Sequence, residues 1–124
     1  MRNKNFDRIS ERVLSQIREN DRRTDSYYLQ DMGSMLKNFL AQDHGSPDQA
    51  LQYSARAASL YSKTMGMRGA ALLDMVKCGM DIYAMKKSGD RKGMDMVESL
   101  AYRLNPGLKE RQPVKPQTMR MAAC

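Results

Sequence analysis

With 124 residues, 41% of them hydrophobic, the chain carries enough apolar material for one core and not two. Its 21 basic side chains against 14 acidic ones leave a net charge of +7, which suits contact with nucleic acid, an anionic surface or an acidic protein without choosing among them. One histidine and two cysteines, with no CxxC, exclude Cys/His metal sites and the usual nucleophile–base pairs.

Valines are few, and no run alternates with period two, so no strand is expected. Five helices are read instead, over about 5–20, 25–42, 47–64, 68–88 and 91–104. In the first, Phe6, Ile9, Val13 and Ile17 recur at helical spacing, with Arg8, Glu11, Arg12, Arg18 and Glu19 around them. The stripe is as narrow as a coiled-coil seam and could pair with a second copy. Two heptads alone are marginal, so packing on the body is favoured.

Asp21 to Asp25 is a polar break in which Thr24 or Asp25 can cap the second helix. That helix presents Tyr28, Leu29, Met32, Met35, Leu36, Phe39 and Leu40 on one face. Gly33 inside it costs about 1 kcal/mol relative to alanine, and a glycine kept at that cost marks a neighbouring helix that comes close. His44, in an Asp-His-Gly turn, is read as a solvated turn or capping residue rather than a catalytic base.

Ser46-Pro47-Asp48-Gln49 is the clearest local signal: an N-cap serine, a proline at the first helical position and a glutamine that closes a capping box. The third helix is rich in Ala and Ser (Ala50, Ser54, Ala55, Ala57, Ala58, Ser59). It is expected to pack tightly rather than line a wide pocket. Met65 and Met67 lie at the turn that follows. There Gly66 suits a left-handed position, and Gly66-Met67-Arg68-Gly69 offers a weak anion-binding turn.

The fourth helix is apolar on most of its circumference, through Leu72, Leu73, Met75, Val76, Cys78, Met80, Ile82, Tyr83 and Met85, and should lie at the centre of the bundle. Its methionines read as core filler and Cys78 as a buried thiol. Asp74 and Asp81 share a face, and salt bridges to Lys77 are expected for them. A helix-turn-helix break at Cys78-Gly79-Met80 would place Ile82 to Lys87 on a recognition helix. The continuous helix is simpler, because bulky Met75 stands where such a turn wants a small residue. Gly89 ends the helix and Asp90 caps the fifth, whose face is Met94, Val97, Leu100, Ala101 and Leu104. Asn105-Pro106-Gly107 stops it. Three prolines and scattered basic residues then predict a disordered tail.

The fold class expected is therefore all-α: a compact bundle of about five helices, residues 1–105, with a disordered basic C-terminal tail, 106–124. No cofactor or metal is expected, no apolar run reaches the length of a membrane span, and no secretion signal opens the chain. Free thiols and many methionines suit a reducing, cytoplasmic setting. No motif is specific to a family.

The leading functional expectation is a non-enzymatic protein-binding module of the regulator, adaptor, chaperone or inhibitor type. Its partner is another protein, acidic by complementarity. The contact residues would be Phe6, Ile9, Val13, Ile17, Met65 and Met67, and residues 6–17 are also a candidate homodimer seam. The alternative is nucleic-acid binding through phosphate contacts from Lys86, Lys87, Arg91, Lys92, Lys109 and Arg111.

Overall fold

The computed structural model describes residues 3–19, 26–65 and 69–108. The described residues form five helices: α1 (Lys4–Glu19), α2 (Ser26–Ala41), α3 (Pro47–Met65), α4 (Ala70–Ser88) and α5 (Arg91–Leu104). The described residues contain no strand. None of their helices is long and apolar enough to cross a membrane. The caps proposed at Thr24 and Asp25, the turn at Gly66 to Arg68, and the tail from Lys109 onward lie outside the described residues.

Local chemistry sets the helix ends. Asn3 Oδ1 accepts the Phe6 N–H at 2.9 Å and opens α1. Its amide nitrogen donates to Asp90 Oδ2 at 2.9 Å. Asp90 is itself the cap of α5, accepting the Gly93 N–H at 3.0 Å. Helices α1 and α5 thus start side by side, and their caps are tied together. At α3, Ser46 Oγ accepts the Gln49 N–H at 3.2 Å. The Gln49 side chain returns to the N–H of Gly45, at 2.8 Å, rather than to that of Ser46, so the box closes one residue earlier than its standard form. Helix α4 runs unbroken through Gly79 and ends at Gly89, whose φ of 72° is left-handed. There the Asp90 N–H reaches the Met85 carbonyl at 2.9 Å.

Helix α4 touches each of the other four. Met75, Cys78, Ile82 and Met85 on it are fully buried, in contact range of a core that includes Ile9, Val13, Met32, Met35, Leu36, Phe39, Val97 and Ala101. The methionines are core filler, as their shape suggests. Gly79 lets α3 approach, because a Cβ there would lie 2.8 Å from Ser54 Cβ. The apolar circumference of α4 is not fully covered, however: Leu73 is exposed.

Two polar seams fix which helices pair. On one, Arg12 Nη1 meets Asp81 Oδ2 at 2.6 Å and Gln16 Nε2 donates to Asp74 Oδ2 at 3.1 Å. Residue numbers rise along α1 as they fall along α4, so the two run antiparallel. The acids of α4 therefore face α1, and neither pairs with Lys77 among the described residues. The expectation of a bridge within α4 failed because Lys77 points to solvent while the shared face of Asp74 and Asp81 is the one α1 covers.

On the other seam, Lys37 Nζ meets Glu98 Oε2 at 2.5 Å and lies 5.2 Å from the centroid of the Tyr102 ring. Burial opposes the Lys37 charge, but Glu98 and Tyr102 outweigh it and hold its pKa above the usual lysine value. The bond from Lys37 in turn holds Glu98 below the ordinary carboxylate value. A carboxylate depressed in the folded chain stabilises it above the unfolded pKa of about 4.3, and that contribution disappears as pH falls through the folded value. Stability should therefore decline below about pH 4, and Lys37→Met should remove part of the decline. Glu98 is 37% exposed, so solvent screening keeps its share under about 1 kcal/mol. Urea midpoints measured from pH 6 to pH 3 test this. Identical pH profiles for the two proteins would refute it.

Candidate functional site

Among the described residues, Cys78 and His44 are the side chains with conventional reactivity as a thiol or imidazole, and both are held by packing. Cys78 is buried on α4 beside Arg12 of α1, and that burial pushes its thiol up to about 12. It is neutral at physiological pH and a poor nucleophile. His44 lies in the connection between α2 and α3, as expected, but is only part-exposed rather than fully solvated. It packs between two rings, 5.3 Å from Tyr53 and 6.2 Å from Tyr83, because the α2–α3 turn folds back across the end of α4. Among the described residues no three His, Cys, Asp or Glu side chains converge.

The proposed partner stripe on α1 is largely used inside the chain. Ile9 and Val13 are fully buried, and Phe6 and Ile17 pack on the core they help form. A partner could reach Ile9 or Val13 only by lifting α1 off the bundle. The Met65 side chain and all of Met67 lie outside the described residues.

The basic cluster also changes. Lys86 Nζ donates to the carbonyls of Leu40, at 2.5 Å, and Gln42, at 2.7 Å, and pairs with Asp43 Oδ1 at 2.9 Å. It neutralises the C-terminus of α2, where unsatisfied carbonyls gather. Its contact draws the Asp43 carboxyl below the ordinary value. Lys87, Arg91 and Lys92 remain exposed around the Gly89 turn, and Lys109 and Arg111 fall outside the described residues.

Helix α3 holds the feature that composition concealed. Its small residues do approach α4 closely, with Ala50, Ser54 and Ala58 buried. Its other edge, contrary to expectation, lines a cleft of 360 Å³ against α2. Ala57 lies on this side, and its single methyl leaves the gap unfilled. Tyr53 and Tyr61 stand on either side of it along α3, Leu60 forms one lip and is 61% exposed, and Asp31 and Asn38 of α2 form the other. The Asn38 amide donates to the Tyr61 hydroxyl at 2.8 Å and fixes that ring. Burial raises the pKa of both tyrosines, so both phenols keep their protons at neutral pH.

Arg56 lies on the same lip as Leu60, and Lys63 follows two turns beyond Arg56 on that face; both are exposed. Neither makes an ion pair among the described residues. Tyr53, Arg56 and Leu60, three and then four residues apart, share one face of α3 on which Arg56 and Leu60 are exposed and Tyr53 is part-buried. The many alanines around them mask that spacing in the composition.

No family model, curated protein or solved structure matches this chain.

Proposed function

We propose that this chain is a non-enzymatic protein-binding module that takes a short amphipathic segment of another protein into the α2–α3 cleft. An apolar side chain would enter over Ala57 between the two tyrosines. Acidic groups flanking it would meet Arg56 and Lys63. The observation that carries the reading is a cleft with an apolar floor beside two exposed cations on one helix face that make no ion pair among the described residues. Such clefts, mostly apolar with a few orienting polar groups, are the common form of a peptide or ligand site. The surplus of positive charge over the whole chain favours an acidic partner in the same direction.

The nucleic-acid reading keeps Lys87, Arg91 and Lys92 but loses Lys86 to the end of α2. Arg56 and Lys63 could meet phosphate as well, but the floor over Ala57 and the Leu60 lip call for an apolar side chain, so the protein reading is preferred.

The test compares two exposed leucines on one helix. Leu60 lines the cleft, whereas Leu51, about 13 Å away along the axis, does not. Proteins retained from native-host extract by the wild-type chain should be lost with Leu60→Glu and with Arg56→Glu, and kept with Leu51→Glu. For a purified retained partner, Leu60→Glu should weaken affinity about thirtyfold, the effect of a side chain worth about 2 kcal/mol. Equal retention by all variants would overturn the reading. So would tight, steeply salt-dependent binding to a mixed-sequence DNA duplex with no protein retained.

A further inference from the structure

Burial of Ile9 and Val13 leaves α1 with a second, outward stripe: Glu11, Leu14 and Arg18. Their spacing, three and then four residues, puts them on one ridge of the helix. Leu14 is 47% exposed although large and apolar. Glu11 and Arg18 are exposed, and neither makes an ion pair among the described residues. Beside this ridge runs a groove of 370 Å³ between α1 and α5, bordered by Leu14, Phe6, Met96, Leu100 and Arg103.

The order acid, leucine, base is self-complementary. A two-fold axis passing beside Leu14 sets two α1 helices antiparallel, so that Glu11 of each copy meets the partner's Arg18. One contact then occurs twice, as an isologous interface requires. The leucines meet at the axis, where each can enter the groove beside the other's helix. The apolar centre supplies attraction, and the two ion pairs select the antiparallel register, as flanking charges do in coiled coils.

We propose that this face is a homodimer interface in which a second copy of the chain covers Leu14 and the α1–α5 groove. It is separate from the α2–α3 cleft and does not depend on it. It also differs from the seam formed by Phe6, Ile9, Val13 and Ile17, which the fold uses internally.

Charge reversal tests it without touching the core. Glu11→Arg places arginine against arginine across the axis, and Arg18→Glu places glutamate against glutamate. Each variant alone should dimerise about tenfold more weakly, since two weak surface pairs become two repulsions. Mixed one to one, the variants restore both pairs in a heterodimer. The double variant, E11R with R18E, restores them in a homodimer. Light scattering coupled to size exclusion across a dilution series reads each case, with circular dichroism confirming that every variant remains helical. A wild-type chain that stays monomeric at all concentrations overturns the proposal. A dimer unmoved by either reversal, or one that the mixture fails to restore, overturns it equally.

Discussion

Gly33→Ala should destabilise the chain by about 3 kcal/mol, although alanine in an exposed helix would stabilise it by about 1. The added Cβ would sit 2.6 Å from the Ala101 carbonyl oxygen and 3.1 Å from the Asn105 nitrogen. Both are backbone atoms of α5 or its cap, and no rotamer change moves them. Helix α5 would have to withdraw from α2, yet its end is pinned there. The buried Asn105 amide donates to Ser34 Oγ at 2.9 Å and to the Gln30 carbonyl at 3.2 Å. Withdrawal breaks these bonds and strands polar groups that water does not reach, which adds to the steric cost.

For a chain of this length a loss of that size lowers the melting temperature by ~12 °C. The corresponding substitution at Gly79 meets a side chain instead, Ser54, with Phe39 Cε1 at 3.2 Å. Gly79→Ala should therefore regain stability when combined with Ser54→Gly, whereas no second substitution in α5 can clear the backbone at Gly33. Thermal melts of the three variants decide this. A Gly33→Ala chain as stable as wild type would show that α5 does not approach α2 as described.

Asp81→Ala should cost about 2 kcal/mol, more than a surface ion pair is worth. Asp81 holds Arg12, and Arg8 more distantly at 3.5 Å. The Arg12 and Asp81 side chains are 20% and 18% exposed, so the pair is largely, though not wholly, withdrawn from water. Burial works against the Arg12 charge, and Asp81 together with Cys78 more than offsets this, which raises the guanidinium pKa. Without the acid, Arg12 is left charged beside the buried Cys78 with its desolvation uncompensated.

The same argument makes the loss asymmetric. Replacing both residues by apolar ones, Arg12→Met with Asp81→Leu, should cost much less than the sum of the single changes. A double-mutant cycle in urea measures the coupling. Hydrogen exchange adds a local reading, since the amides of Ile9 and Val13 should lose protection in Asp81→Ala before those of α4. Unchanged urea midpoints and unchanged α1 protection would show that this seam does not hold α1 down.

Helix by helix, much of this fold was legible beforehand. The spacing of apolar residues marked each segment, and Ser46-Pro47 and Gly89-Asp90 marked the ends, because capping and periodicity are local and depend on residues a few positions apart. The illegible part was the identity of partners across the chain. Lys86 read as a surface cation open to phosphate, yet it closes the end of α2. Asp81 looked paired within α4, yet its ion pairs are made by α1. The α2–α3 cleft was illegible for a related reason. An alanine such as Ala57 permits close packing where a neighbour approaches and leaves a gap where none does, and its identity does not say which.

What the sequence determined by itself was five amphipathic helices, their limits, and the burial of the sulfur-rich face of α4, since each follows from hydrophobic spacing along a single helix. What only the tertiary structure decided was which face meets which. That choice assigns Arg12 to Asp81, Lys86 to the end of α2, and Leu14 and Leu60 to solvent. The reason is physical: helical periodicity tells which side chains share a face, whereas the neighbour of that face is set by how all five helices fill one core together.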